Sequence, residues 1–272
     1  MAASGWTRAA CALVLLLLPP AARAQAPAAV RVRSRLVLEV AAAHASVLDP
    51  VASPLRYTGA GAGALLGYRR ETPGGALELA VELQADRLDS GLSDDAGGPH
   101  EDGAFGAVTA RLLRRVAGRH DLTPGAHGTA LLLGAEARLD LDVRDHFYSL
   151  PALDFGYGLA LATLAPAARL QVARGRAGEL RADLAAPLLG VALRPYGDLA
   201  YVHGGLHPRL AAPPALAGLG VGIGWAVPLG ATRARLLLDW RLDALRYREA
   251  DRYRAAHQRL GLGLELPLGG GG

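Results

Sequence analysis

A histidine and a serine, His44 and Ser46, lie two residues apart in a segment of alternating polarity. Side chains two apart in an extended strand point to the same face. A histidine that contacts a serine hydroxyl can act as its general base and make it a nucleophile for hydrolysis. Such a site also needs a third group that orients the histidine, and the chain contains no asparagine. We therefore expect that the protein is not an enzyme, and hydrolysis by His44 and Ser46 stays the alternative.

Charged side chains recur at every second residue in several segments, opposite a face of apolar side chains. In residues 129–144, for example, Glu136, Arg138 and Asp140 alternate with Leu139 and Leu141. If such segments close into a barrel, their charged faces meet inside it. Burial of so many charges then requires that arginines pair with carboxylates. The predicted network comprises Arg31, Arg33, Arg35, Glu78, Glu82, Glu136, Arg138, Asp140, Arg233, Arg235, Asp239 and Arg241.

Other motifs of catalysis and metal binding are absent from the sequence. It contains no H-E-x-x-H, G-x-S-x-G or EF-hand spacing, and the glycines of residues 59–67 miss the G-x-G-x-x-G spacing of a nucleotide loop. The one cysteine, Cys11, lies in a leader segment, so the rest of the chain has no thiol for a metal site or a nucleophile. The sequence therefore predicts no cofactor and no metal site.

The first 24 residues have the pattern of a secretory signal peptide. Arg8 precedes an apolar run from Ala10 to Leu18, two prolines end the run, and Ala22 to Ala24 offers an A-x-A cleavage site. The run is too short for a membrane-spanning helix. We expect residues 1–24 to be removed on export and residues 25–272 to form one domain.

The rest of the chain consists of short segments in which apolar and polar residues alternate. This period of two predicts β-strands with two different faces. We count about twelve strands, or about ten if the prolines between residues 165 and 201 interrupt the pairing. Short and long connections alternate, which is typical of antiparallel strands with turns at one end and loops at the other.

Glycines indicate which face lies inside. Gly218, Gly220, Gly222 and Gly224 share one face of a strand whose other face is leucine, valine, isoleucine and tryptophan. On the outer surface of a soluble barrel such a stripe would only weaken the strand. Inside a narrow barrel it makes room for the arginines of a neighbouring strand. The same face is predicted for other glycines, which are Gly61, Gly63, Gly67, Gly156, Gly158, Gly261 and Gly263. A soluble secreted β-barrel, with its apolar face inside, stays open as an alternative.

With these features the chain resembles bacterial outer-membrane β-barrel proteins of the medium-sized, single-chain class. The resemblance rests on patterning over nearly all of residues 25–272. It implies an all-β, closed antiparallel transmembrane β-barrel in the bacterial outer membrane. The implied partners are outer-membrane lipid, lipopolysaccharide and the barrel assembly machinery, and the implied state is a monomer. Outer-membrane lipid hydrolases carry an H-x-S on an outward strand face, which gives the alternative role of His44 and Ser46 a substrate class.

The function expected from this pattern is structural or that of a narrow channel, with a lumen filled by pairs of arginine and acid. A nucleic-acid partner is not expected, although the formal net charge is +4. Arginines alternate with Asp and Glu along the strands and form no basic cluster with interleaved aromatic residues.

Overall fold

The computed structural model describes residues 32–49, 55–92, 99–119, 127–147, 155–195, 206–230, 233–248 and 252–268. The predicted signal peptide and Arg31 lie outside these ranges. The strands in chain order are β1 (Arg33–Leu48), β2 (Arg56–Thr72), β3 (Gly75–Asp89), β4 (His100–Gly118), β5 (His127–Phe147), β6 (Phe155–Arg174), β7 (Glu179–Ala185), β8 (Leu189–Pro195), β9 (Leu206–Ala211), β10 (Leu216–Pro228), β11 (Arg235–Tyr247) and β12 (Tyr253–Leu268). A short 3-10 helix, Gly175–Ala177, connects β6 to β7. No helix in the described residues is long and apolar enough to cross a membrane.

Ten strands form a closed antiparallel ring. Each strand from β1 to β6 pairs with the next along the chain, β7 pairs with β10, and β10, β11 and β12 lead back to β1. Closure leaves the ring without a free edge, as a strand structure in hydrocarbon requires. Two further strands, β8 and β9, are attached to β6. The predicted closed all-β barrel is therefore confirmed, with twelve strands in total and ten in the ring.

The structure has twelve strands in total but ten in the ring because two lines of the wall are each broken into two strands. Both β7 and β8 pair with β6, one after the other, and so follow one line in the wall. Between them, the three residues 186–188 face only two residues, Ala165 and Pro166. One residue more on one strand than on its partner is a β-bulge. The side chains therefore change parity at this point, because Ala185 is buried in β7 and Gly190 is buried in β8.

The apolar face of the strands lies on the outside of the barrel. On β5, Leu133 and Leu139 are 44% and 40% exposed, whereas Glu136 and Arg138 between them are 4% and 8% exposed. Most of the other strands of the ring show the same order, with exposed leucines and valines outside and, inside, charged residues, glycines and some buried apolar side chains. Such an exterior suits hydrocarbon. It contradicts the soluble alternative, which would bury the leucines and expose the charges.

One glycine prediction is wrong. Gly158 shares its face of β6 with Ala162 and Leu164, which are exposed, whereas Leu159 and Leu161 of the opposite face are buried. The lumen face of β6 is apolar near Gly158. The alternation of glycine with leucine in the sequence therefore indicated the wrong face of this strand. The glycines of β10 and β12 face the lumen, as predicted.

The exterior position of the leucines gives a testable consequence. We expect Leu139→Arg, near the middle of β5, to impair membrane assembly by about 2–4 kcal/mol, because arginine at the midplane is poorly solvated by lipid. Thr129→Arg, close to the end of the same strand and also exposed, is the matched control with a smaller cost. The measurement is the fraction of protein that migrates as folded barrel in an unheated detergent gel. Equal folding of both variants would contradict a lipid-facing Leu139.

Candidate functional site

The lumen holds the largest concentration of charged side chains in the described residues, and Glu265 of β12 is the centre of the first cluster. Its side chain is fully buried. It accepts hydrogen bonds from Arg181 Nη1 at 2.7 Å and Arg235 Nε at 2.6 Å, and it also pairs with Arg69. These arginines belong to β7, β11 and β2, of which only β11 is a neighbour of β12 in the wall. One carboxylate therefore joins strands across the lumen.

A second carboxylate closes this cluster. Glu179 Oε2 lies 2.9 Å from Arg235 Nη1, and its Oε1 accepts from Arg181 Nε and from Gln171 Nε2. Arg181 and Arg235 thus each contact both Glu265 and Glu179. Two carboxylates shared between the same two guanidinium groups form a network in which each charge has more than one partner.

The middle of the lumen contains a cluster built from β3 to β7. Arg169 donates from Nη2 to Glu78 Oε2 at 2.7 Å and from Nε to Asp183 Oδ1 at 2.7 Å. Arg111 Nη1 lies 3.1 Å from the same Asp183 oxygen, and its Nε donates to Glu136 Oε2 at 2.9 Å. Glu78 also pairs with Arg69, which connects this cluster to the one around Glu265.

The third cluster lies on the other side of the middle. Arg144 is fully buried between Asp86 and Asp142, at 2.7 Å and 2.9 Å. The hydroxyl of Tyr253 donates to Asp142 at 2.7 Å. Arg138 pairs with Asp140 at 2.6 Å. Further pairs involve Arg138 and Arg241 with Asp243 and Arg259 with Glu39, Glu82 and Asp239.

Glycines give the charges their space. A Cβ atom at Gly220 would lie 2.9 Å from Asp243 Oδ1, and one at Gly224 would lie 3.0 Å from Asp239 Oδ2. A Cβ atom at Gly261 would overlap the carboxylate of Glu39. The prediction that glycines leave room for charged neighbours thus agrees with the structure, but the groups beside them are carboxylates rather than arginines.

An apolar layer lies at the end of the barrel where β1 ends and β2 begins, which we call the loop end. Tyr57, Leu88 and Tyr247 are at most 1% exposed there, and Leu161 and Leu216 extend the layer toward the middle. The described part of the lumen contains cavities of about 100 Å³ and about 60 Å³. At roughly 10–15 Å³ per water molecule, each has room for only a few small groups.

Most residues of the predicted network occur in these clusters. Arg35, Glu82, Glu136, Arg138 and Arg235 are buried. Glu78, Asp140, Asp239 and Arg241 also form ion pairs inside the barrel.

Two predicted members lie at the margin of the network. Arg33 begins β1 with a half-buried side chain, and Arg233 lies in the turn before β11 with an exposed one. Arg233 contributes its carbonyl oxygen, which accepts a hydrogen bond from Arg35 Nη1 at 3.2 Å. The strand begins at Arg235, three residues after the start of its pattern at Thr232, so the expected inward position of Arg233 does not agree with the structure.

The sequence analysis missed several members of the clusters. They are Arg69, Arg111, Arg169, Arg181, Arg259, Glu179, Asp183 and Glu265. The same alternation could have found them, because each occupies the inward parity of its strand. Their strands contain more alanine and glycine, which makes the alternation less distinct.

His44 and Ser46 lie outside the lumen. His44 is exposed and Ser46 is half-buried, on the outer face of β1 near the loop end. The exposed Gln258 of β12 is directly opposite His44, and Thr58 of β2 is directly opposite Ser46. Directly opposite residues of an antiparallel pair lie side by side on the same face. The pair therefore has two polar neighbours that sequence reasoning did not identify.

Known proteins resemble this chain in fold. No protein-family model and no curated protein matches the chain. The outer membrane protease OmpT from Escherichia coli superposes with a TM-score of 0.53 at 7% identity, over 91% of this chain and 99% of that chain. Neisserial surface protein A covers 86% of this chain and 97% of its own, with a TM-score of 0.34 at 12% identity. Ail of Yersinia pestis covers 86% and 99%, with a TM-score of 0.34 at 12% identity. The similarity to OmpT shows a shared fold.

The cluster around Glu265 provides a prediction on stability. We expect Glu265→Gln to lower the free energy of unfolding by about 3–5 kcal/mol, because three buried guanidinium groups lose a shared counter-charge. Asp89→Asn, at an exposed carboxylate, is the control and should have little effect. The measurement is urea unfolding in lipid vesicles, followed by tryptophan fluorescence. Adding Arg69→Gln to Glu265→Gln should recover part of the loss, and a double variant less stable than the single one would contradict a shared network.

Proposed function

We propose that this barrel of outer-membrane type has a structural role and that its lumen does not conduct under ordinary conditions. The observation that carries this proposal is the set of ion pairs that cross the lumen, from Glu265 through Glu78 and Asp183 to Arg144. A solute on the barrel axis would have to displace these pairs. A narrow channel for small polar solutes remains the finer alternative, because much of the lining is charged.

The energetics support a closed lumen. Removing one partner of a buried pair leaves an uncompensated charge, which costs several kcal/mol. An ion that separated Arg169 from Asp183 and Glu78 would create such charges unless it replaced each partner. The buried side chains of Tyr57, Leu88 and Tyr247 fill a further part of the lumen at the loop end.

Outer-membrane lipid is the partner that the exterior favours. Besides its apolar band, the outer face carries Arg254 of β12 directly opposite Arg246 of β11, near the loop end. Like charges directly opposite one another destabilise a strand pair, and a phosphate of lipopolysaccharide between them would remove the repulsion. Contact with lipopolysaccharide, folding by the barrel assembly machinery and a monomeric state stay predictions.

Conductance distinguishes the structural role from the channel. We expect little or no conductance from the wild-type protein in planar bilayers. Arg169→Ala combined with Asp183→Ala removes an ion pair without changing the net charge, and conductance should then rise because the middle cluster loses bulk. Arg174→Ala, at an exposed arginine of the same strand, is the control. A large wild-type conductance that the double substitution does not change would refute the closed lumen.

Hydrolysis of a lipid ester is the second candidate, and the position of Gln258 favours it. With its amide beside His44, Gln258 is placed to orient the imidazole, which would deprotonate Ser46 for attack on an acyl ester. All three side chains lie on the outer face, next to lipid. In this proposal Gln258 is the third group, which the sequence alone did not identify.

Mass spectra of membrane lipids test this second candidate. We expect phospholipid and lipid A from cells that overproduce the protein to keep all their acyl chains, as for a non-enzymatic barrel. Loss of a chain in wild type that disappears in Ser46→Ala would establish hydrolysis. Gln258→Ala should then lower the rate, whereas Ser34→Ala, at a serine of the same strand near its other end, should not.

A further inference from the structure

The backbone pairing of the barrel wall is interrupted between the line of β7 and β8 and the line of β9 and β10. Pairing stops at Ala185 with Gly220 and resumes at Gly190 with Ala211. Four residues on one side, 186–189, therefore face eight residues on the other, 212–219. We call these two stretches the seam.

Prolines prevent the seam from closing as a regular ladder. Pro187 lies on one side, and Pro213 and Pro214 lie on the other. Proline has no backbone N–H and cannot donate to a neighbouring strand. The side toward β6 stays intact, because Ala186 N donates to Pro166 O at 3.3 Å and Leu188 N donates to Leu164 O at 3.0 Å. Backbone pairing is therefore interrupted only on the side of residues 186–189 that faces the line of β9 and β10.

The seam lies within the lipid-facing surface. Leu184 and Leu188 are 48% and 51% exposed on one side, and Leu219 is 44% exposed on the other. Leu189, at the end of the seam, and Val191 of β8 beyond it are also exposed. Backbone groups without partners are tolerated at membrane depth only where protein covers them or where they line a cavity.

A cavity lies directly behind the seam. Its volume is about 60 Å³, and Ala185, Pro187 and Leu219 of the wall line it together with Leu245 and Ala255 of the lumen. Leu219 is exposed on the outside and also lines this cavity. A single layer of side chains therefore separates the cavity from the lipid.

Two glycine contacts close that layer. A Cβ atom at Gly218 would lie 2.8 Å from Cγ of Pro187, and one at Gly190 would lie 3.1 Å from Cδ2 of Leu216. The proline ring and the leucine side chain thus occupy the gap because the residues facing them have no side chain. Packing alone holds the seam here, in place of the hydrogen bonds of a regular ladder.

We propose that the seam is a side entrance through which the end of a lipid acyl chain reaches this cavity. The proposal rests on the membrane location proposed above. Leu159, Ala165 and Ala255 give the cavity an apolar wall beside the seam. Its wall toward the lumen is polar and consists of Glu136, Arg138, Asp140, Asp142, Asp243, Tyr253 and His257, in which Asp140 and Asp243 pair with Arg138 and Asp142 pairs with Arg144. A cavity that holds benzene has about 150 Å³, so a smaller one admits the end of a chain and excludes a headgroup.

Photo-crosslinking from the lipid side tests the entrance. The full protein is folded into vesicles of phosphatidylcholine that carries a diazirine at the end of one acyl chain. After irradiation, peptide mass spectrometry identifies the labelled residues. We expect label on Leu245, Ala255 or Thr163 in addition to exterior leucines, and a several-fold increase of this lumen label in Leu216→Ala.

Leu132→Ala is the matched control, because Leu132 is a buried lumen leucine of another cluster, away from the seam. It should leave the lumen label unchanged. Label confined to exterior leucines would overturn the entrance, although exterior label alone would still support the membrane location. An equal increase in Leu216→Ala and Leu132→Ala would also overturn it, since chains would then enter by another route. Absence of exterior label would instead refute the membrane barrel, and wild-type label decides the question if Leu216→Ala does not fold.

Discussion

Hydrocarbon offers no hydrogen-bond partner and no counter-charge, and this constraint accounts for most of the structure. Every backbone group of the wall needs a partner within the wall, so the ten strands close on themselves. The same constraint determines which side chains face outward and which face the lumen. Leucine and valine at one parity contact the exterior, and many of the charged residues at the other parity face the lumen, where they pair with one another.

The lumen then has its own requirement, because a charge enclosed by a narrow ring must pair inside it. Arginine meets this requirement well, since its planar guanidinium group can donate to two carboxylates at once. Arg181 and Arg235 do so between Glu179 and Glu265. A buried ion pair is weak evidence for added stability. Its effect here is to join distant parts of the ring, as Glu78 of β3 and Arg169 of β6 do, and to fill space that water or solute would otherwise occupy.

The sequence predicts the faces of the strands better than the partners of their charges. On β5 the alternation of leucine with Glu136 and Arg138 is so regular that the inward face follows from it directly. On β6 it fails, because Leu159 and Leu161 face an apolar layer inside the lumen rather than lipid. The pairing of Glu265 with Arg69 and Arg181 could not be predicted, since it depends on the stagger of the ring and not on spacing along one strand. The opposition of His44 and Gln258 depends in the same way on ring closure, which brings the first strand beside the last.

The two broken strands illustrate how closure spreads a local irregularity. A proline in one strand of an open sheet affects mainly its own ladder, but in a ring the neighbour must also depart from the regular register or leave its groups unpaired. Pro187 interrupts the line of β7 and β8, and the next line is interrupted at the same place, where residues 212–219 form an eight-residue detour beside four. Glycine on each side then lets proline and leucine fill the gap. The prolines between residues 165 and 214 therefore act together, and they make this part of the wall the one where packing replaces hydrogen bonding.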